Sequence, residues 1–359
     1  MAITAGMVKD LREMTGAGMM DCKKALTETN GDMDAAVEFL RKSGAAKAEK
    51  KAARIAAEGI TRTAIDGNNA VVVEVNSETD FVAKNETFQT YVESVAKQAL
   101  ASSAADVEGM MDEKWIDDAS KTVKEVLVEK TATIGEKLSI RRFAKVSGDT
   151  VVSYVHGGGK IGVLVAANGA TGDAVKEALT NVAMQVAAMN PTYISRNEIS
   201  AEELAKEKEI TLESALNDPF SLPKPILNKL IEKACNGVWS DEDKAIYEEK
   251  KSNMNYLPNF LSEAAKTALA TLAIEDKANI SADKIFGGLV EGRISKHLKE
   301  ICLLDQVYVK AEDGKQSVGK YLESVDKNIV ISKFVRFEVG EGMEKKNEDF
   351  AAEVAAQLK

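Results

Sequence analysis

GITRTAIDGNNAVVVEV, residues 59–75, places two runs rich in β-branched residues on either side of Asp66-Gly67. Asp-Gly between such runs predicts a tight antiparallel hairpin, because glycine takes a positive φ at no steric cost. A helix is predicted next, with Asn85 as its cap and Phe88, Val92, Val95 and Ala99 at helical spacing. The same grammar returns in VVSYVHGGGKIGVLVAA (151–167), a second hairpin turning in GGGK, followed by the helical AVKEALTNVAMQVAAMN (174–190). SVAKQALAS (94–102) and NVAMQVAAM (181–189) are similar, so the two strand-strand-helix units read as a degenerate internal duplication. Each unit predicts helices on one face of a small antiparallel sheet, an α+β fold.

Outward from this core, residues 1–44 read as three short helices. Thr4 caps the first and TGAG (15–18) breaks it. Asn30-Gly31 ends the second, Asp32 caps the third and Gly44 stops it. Residues 45–58 are rich in Ala and Lys and predict a stiff helical linker. The core then divides into 59–145 and a second part, 146–198 with 301–340. Between these lies a helical excursion, 199–300, with helices expected near 200–216, 225–236, 241–253 and 260–275. All five prolines lie at Pro191 or beyond. KFVRFEVGEG (333–342) alternates like a strand, with Val335, Phe337 and Val339 on one face. NEDFAAEVAAQLK (347–359) predicts a capped amphipathic helix within a C-terminal module, 341–359.

The composition narrows the function. A net charge of -10 argues against nucleic acid as a direct partner, since phosphate binding needs dense Lys and Arg. Locally, residues 1–55 carry 10 Lys+Arg against 8 Asp+Glu. No apolar run approaches the ~20 residues that span a bilayer, so no membrane partner is expected. Cys22, Cys235 and Cys302 are far apart and form no C-x-x-C pair. Neither a zinc site nor a disulfide framework is expected, and a cytoplasmic location fits. With two histidines, His156 and His297, a histidine-based active site is disfavoured.

Several motifs invite a chemical reading. HGGG (156–159) is similar to a lipase oxyanion loop, but no G-x-S-x-G nucleophile elbow accompanies it. Gly157, Gly159 and Gly162 satisfy G-x-G-x-x-G, yet they lead into a strand instead of opening a helix, so a glycine-rich hairpin turn is the better reading. His156 is either a solvated turn residue or a contact at a hairpin tip. Met19 and Met20 follow a glycine-rich turn, and adjacent methionines cannot both face one core. At least one is expected inside, with the other at an adaptable edge beside Lys23. SETDFVAK (77–84) reads as a one-turn helix, with Ser77 and Asp80 as a capping box and Phe81 buried. Phe81, Val82 and Ala83 nevertheless sweep about 200° on a helix, so one of them is expected to point outward.

Three long segments together point to a family. LREMTGAGMMDCKKALTETNGDMDAAVEFLRKSG (11–44), EVNSETDFVAKN (74–85) and RFEVGEGMEKKNEDFAAEVAAQ (336–357) occur in the right order. They resemble the bacterial translation elongation factor Ts family over about 1–215 and 280–359. The family's order is a ubiquitin-associated-like three-helix domain, a duplicated core, a coiled-coil excursion and a C-terminal helix. The stretch 216–280 exceeds the shorter helical hairpin usual in the family.

The resemblance implies a guanine nucleotide exchange factor for elongation factor Tu, with no catalytic residues, metal or cofactor of its own. It implies that Thr79, Asp80, Phe81 and Val82 intrude beside the partner's Mg²⁺ site. Phe81 would wedge between two partner histidines, and Asp80 would orient the segment. Arg12, Met19, Met20 and Lys23 would grip a partner helix on the nucleotide side. Lys51 belongs to the matching linker, and Ile134 and Gly135 lie near the same interface. His156 matches the histidine of S-Y-x-H-G, which docks on a different partner domain. A homodimer or a 2:2 complex stays open. Two other classes stay in view: a ubiquitin-like-binding adaptor, from residues 1–44 alone, and an HGGG-type hydrolase.

Overall fold

The computed structural model describes residues 3–344. The chain groups into two compact units, one running to Asn190 and resuming at Lys320, the other Pro191–Gly319. The expected boundaries at 199 and 300 both fall inside the second unit. The helix expected at 347–359 lies outside the described residues.

The first unit opens with α1 (Ala5–Thr15), α2 (Met19–Glu28) and α3 (Met33–Lys51), capped by Thr4 and Asp32 as expected. Val8, Leu11, Cys22, Ala25, Leu26 and Ala36 form their shared core. Gly44 does not stop α3, a correction to the expectation. It is buried where α3 packs on a later helix, and a Cβ there would meet that of Ala132 at 3.4 Å. Glycine serves close helix approach at this site, while the Ala- and Lys-rich sequence carries the helix to Lys51. The helical linker is therefore shorter than 45–58: it ends at Lys51, and Glu58 already begins a strand.

The core proper follows as β1 (Glu58–Asp66), β2 (Asn69–Ser77), α4 (Asp80–Ala83), α5 (Glu86–Ala101), α6 (Val107–Met110), β3 (Lys114–Trp115), β4 (Asp118–Thr122), α7 (Val123–Ile134) and β5 (Ser139–Ser147). The second repeat is β6 (Thr150–His156), β7 (Ile161–Asn168) and α8 (Asp173–Met189). Asp66 pairs with Asn69 across the predicted turn, where Gly67 has φ +54°. His156 pairs with Ile161 across the second.

The second unit is helical: α9 (Ala201–Asn217), α10 (Lys224–Gly237), α11 (Asp241–Lys250), α12 (Glu263–Glu275), α13 (Lys277–Ala282) and α14 (Lys284–Ile301). Residues 216–280 contribute to a core of their own, with Leu227, Leu230, Ile231, Trp239, Leu257 and Leu269 buried together beside Phe286. Pro219 and Pro225 sit in the first turns of their helical segments, where the missing N–H is not needed. Trp239 donates its indole N–H to the Ala265 carbonyl at 3.0 Å. Buried Asp243 accepts from the N–H and hydroxyl of Ser262, both at 2.9 Å, which hold its carboxyl below the ordinary range. The chain enters and leaves side by side: Thr192 and Tyr193 donate to the Ile301 carbonyl. It then runs through α15 (Val318–Val325) to β8 (Val330–Glu338).

The two three-stranded sheets, β1-β2-β5 and β6-β7-β8, are each an antiparallel hairpin joined on its second strand by a strand that returns after helices, so the α+β duplication holds in three dimensions. The alternation of β2 explains the layers. Val71, Val73 and Val75 pack under α5 with Phe88, Val92 and Val95. Ala70 and Val72 face the other sheet and meet Leu164, Ala166, Val335 and Phe337. The order is thus helix, sheet, sheet, helix. Two glycines of the second hairpin, Gly159 and Gly162, are explained by this closeness. A Cβ on Gly159 would lie 2.9 Å from that of Ile60, and one on Gly162 would lie 2.8 Å from the Thr61 hydroxyl oxygen. Two of the three glycines in the G-x-G-x-x-G match, Gly159 and Gly162, thus serve the packing of sheets, while Gly157 has φ +59° in the turn itself. No helix among the described residues is long and apolar enough to cross a membrane.

Candidate functional site: the Thr79–Val82 turn and its surroundings

β2 delivers the chain at Ser77 to the single turn α4. Thr79, with extended backbone, is the cap: its hydroxyl oxygen accepts from the Val82 N–H at 3.3 Å. The expected Ser77–Asp80 box does not form. Ser77 donates its hydroxyl to the Thr79 carbonyl instead, and Asp80 is the first helical residue. Ala83 points into the core, Val82 packs half-buried against it, and Phe81 points outward with 81% of its surface exposed. The buried-phenylalanine reading is overturned. The core face of a single turn has room for only part of the apolar triplet, and Ala83 occupies it.

The turn is braced on all sides. Glu136 accepts from the N–H of Glu78 at 3.1 Å and of Thr79 at 3.0 Å through one oxygen, and from the Thr79 hydroxyl at 2.6 Å through the other. Glu78 in turn accepts from the Lys137 N–H at 2.6 Å and pairs with Arg54 at 3.3 Å. Lys137 donates its ammonium to the Arg54 carbonyl at 2.7 Å. Asp80 pairs with Lys84 one turn on at 2.7 Å, and this hydrogen bond holds its carboxyl below the ordinary range. Asn85 caps α5 as expected.

Other residues singled out in the sequence converge here. Gly135 ends α7 with φ +89°, a left-handed cap that favours glycine, and passes the chain directly to Glu136. Ile134 is half-buried beside it. Lys51, at the end of α3, is half-buried; burial first, then the charge of Arg54, holds its ammonium below the ordinary range. The second hairpin reaches the same end of the sheets. Lys160 pairs with Glu58 at 2.6 Å, Glu58 is the register partner of Ser77, and the charge of Lys160 acts on Asp80. His156 is exposed at this hairpin, its Nδ1 sharing a hydrogen bond with the Tyr154 hydroxyl at 2.9 Å.

Arg12, Met19, Met20 and Lys23 are all exposed on α1 and α2. Neither methionine joins the core, contrary to expectation, because Cys22, Ala25 and Leu26 make up the buried face of α2. Met19 is 57% and Met20 75% exposed, so both are available at a surface. A cavity of about 730 Å³ lies between α3 and α7, floored by Val37, Leu40, Val128 and Ala132. Its Asp21–Lys47 and Lys121–Glu129 pairs are already matched, at 2.9 and 2.7 Å, and Phe81 lies outside it.

Glu136 and Thr79's capping role escaped the sequence reading. TIGE (133–136) drew attention to Ile134 and Gly135, but only the tertiary fold brings the next residue to Thr79. A family model described as Elongation factor TS matches residues 78–242 and 240–341. These spans include the exposed-phenylalanine turn, the His156 hairpin and the whole of the helical unit, and the chain belongs to the elongation factor Ts family.

Proposed function

We infer that the protein is a guanine nucleotide exchange factor for elongation factor Tu, with no covalent chemistry of its own. The observation that carries this reading is the Phe81 side chain, 81% exposed on a turn that is otherwise capped and braced. Phe81 is the most exposed large hydrophobic side chain among the described residues, and aromatic side chains presented on a braced backbone are the kind that anchor an interface. Thr79–Val82 enters the GTPase beside its Mg²⁺ site, Phe81 wedges between partner side chains, and Asp80 orients the segment. The ion and then GDP are released. Met19, Met20, Arg12 and Lys23 supply a second, adaptable contact. Lys51, Ile134 and Gly135 border the first contact, and His156 docks elsewhere on the partner.

Linkage states what exchange demands. The factor must bind the nucleotide-free GTPase more tightly than the GDP-bound one, and GDP must weaken the factor by the same ratio. Coupling on the order of a thousandfold corresponds to about 4 kcal/mol. One buried aromatic wedge supplies ~1.5–3 kcal/mol, so loss of phosphate and Mg²⁺ contacts must supply the remainder. Capture of elongation factor Tu by the immobilised protein, with and without excess GDP, tests the reading. GDP is expected to weaken capture. Phe81→Ala is expected to retain binding and slow release of a fluorescent GDP analogue. Capture indifferent to GDP would refute the exchange reading, and an unchanged release rate for Phe81→Ala at saturating factor would refute the wedge.

A further inference from the structure

We propose that Glu136 is the positioning residue of the exchange site: acting through Thr79, its carboxylate aims Phe81. This rests on the exchange reading above.

Phe81 has almost no packing of its own, so the ring's direction is set by the backbone of α4. A single helical turn is not stable alone, because too few hydrogen bonds offset the cost of ordering it. Three donors converge on Glu136: the N–H groups of Glu78 and Thr79 and the Thr79 hydroxyl. Since the hydroxyl has one proton and gives it to Glu136, its lone pair is left facing the Val82 N–H, which donates to it. The carboxylate therefore fixes both the entry of the chain into the turn and the cap that closes it. Hydrogen bonds to an ionised acceptor are the stronger kind.

Glu136 is itself held. It follows the left-handed Gly135 at the end of α7, and the next N–H, that of Lys137, returns a bond to Glu78. The brace is reciprocal: 136 holds 78 and 79, while 78 holds 137. The direction of Phe81 is thereby referred to α7. Both oxygens of Glu136 are engaged within the protein, which assigns it to position and not to direct contact with the GTPase. Without it, the turn would visit other geometries, and release would fall with the fraction of time the ring is correctly aimed.

The experiment follows release of a fluorescent GDP analogue from elongation factor Tu at saturating full-length factor. Glu136→Ala is expected to slow maximal release roughly tenfold. Glu136→Gln is expected to retain most of the rate, since its amide oxygen can accept both N–H groups and its NH₂ can donate to the Thr79 oxygen. Glu136→Asp, one methylene short, is expected to behave like the alanine variant. In a Phe81→Ala background, Glu136→Ala should have little further effect, because no ring remains to be aimed. Multiplicative losses in the double variant would overturn the proposal, as would full rates for both Glu136→Ala and Glu136→Asp. A wild-type rate for Phe81→Ala would instead sink the wedge role that the exchange reading gives this ring. The aiming role then stands or falls on amide hydrogen exchange at Thr79 and Val82 in the free protein, which Glu136→Ala should accelerate and Glu136→Gln should not.

Discussion

In the first half of the duplicated core, β2 passes to α5 through a capped turn that holds a phenylalanine out in water. In the second half, β7 passes to α8 through Gly169, Ala170, Thr171 and Gly172, and the apolar residue there turns inward. Ala170 is buried and its carbonyl accepts from the Thr150 hydroxyl at 2.9 Å. Gly169 donates its N–H to Asp149 at 2.9 Å. The N-cap position, Gly172, offers no side-chain bond. One joint is fastened to its own sheet. The other is fastened to α7 through Glu136 and left apolar outside. The same difference reaches the sheets: among the described residues, the first contains the buried carboxylate Glu74 and the second contains none. Duplication thus supplied two equivalent joints, and charge and capping made one of them a candidate binding element.

The largest effect is expected at Glu74. Burial pushes its carboxyl upward, but the Gly340 N–H and then Arg141, Asn76 and Arg142 outweigh burial and hold it below the ordinary range. Removing the acceptor from these partners, as in Glu74→Ala, should destabilise the first unit by ~3–5 kcal/mol in denaturant unfolding. Because the folded-state value is depressed, this stabilisation is complete above the ordinary carboxylate range and is lost as pH falls through the folded-state value. Glu74→Gln should therefore flatten the acid limb of the stability curve.

Next is the contrast between the joints. Ala170→Phe should overpack the second joint and cost ~1–3 kcal/mol. Phe81→Ala, at an exposed site, should change stability by no more than ~0.5 kcal/mol while slowing nucleotide release. Equal stability losses would dissolve the contrast. Thr79→Ala should cost about 1 kcal/mol through the lost cap and also slow release, as read by thermal unfolding and fluorescent GDP kinetics. The smallest effect is expected at the hairpin tip: His156→Ala should leave stability within ~0.5 kcal/mol and weaken capture of the GTPase. A stability loss beyond that range would place the His156–Tyr154 pair in the structural framework.

Hairpins, caps and the duplication were legible because they are local. Asp66-Gly67, Asn85, Thr4 and Asp32 act within a few residues of where they stand. Gly44 misled because its demand is tertiary: it makes room for α7 and does not end a helix. The Met19 and Met20 expectation failed because helical spacing alone does not say which stripe of α2 is buried. The Ser77 box failed because Thr79, held by the carboxylate of Glu136 just after α7, outcompeted it. Segments such as TDFV and S-Y-x-H-G marked the site, but its supporting partner is remote in the chain.

The chain has two tryptophans, and the fold gives one to each compact unit. Trp115 is buried in the first and stacks with Tyr91 at 5.9 Å. Trp239 is buried in the second, its indole bonded to Ala265. The molecule therefore carries its own two-channel fluorometer. With one indole replaced by phenylalanine, the emission of the other reports melting of its unit alone, so the helical unit's autonomy can be read without cutting the chain.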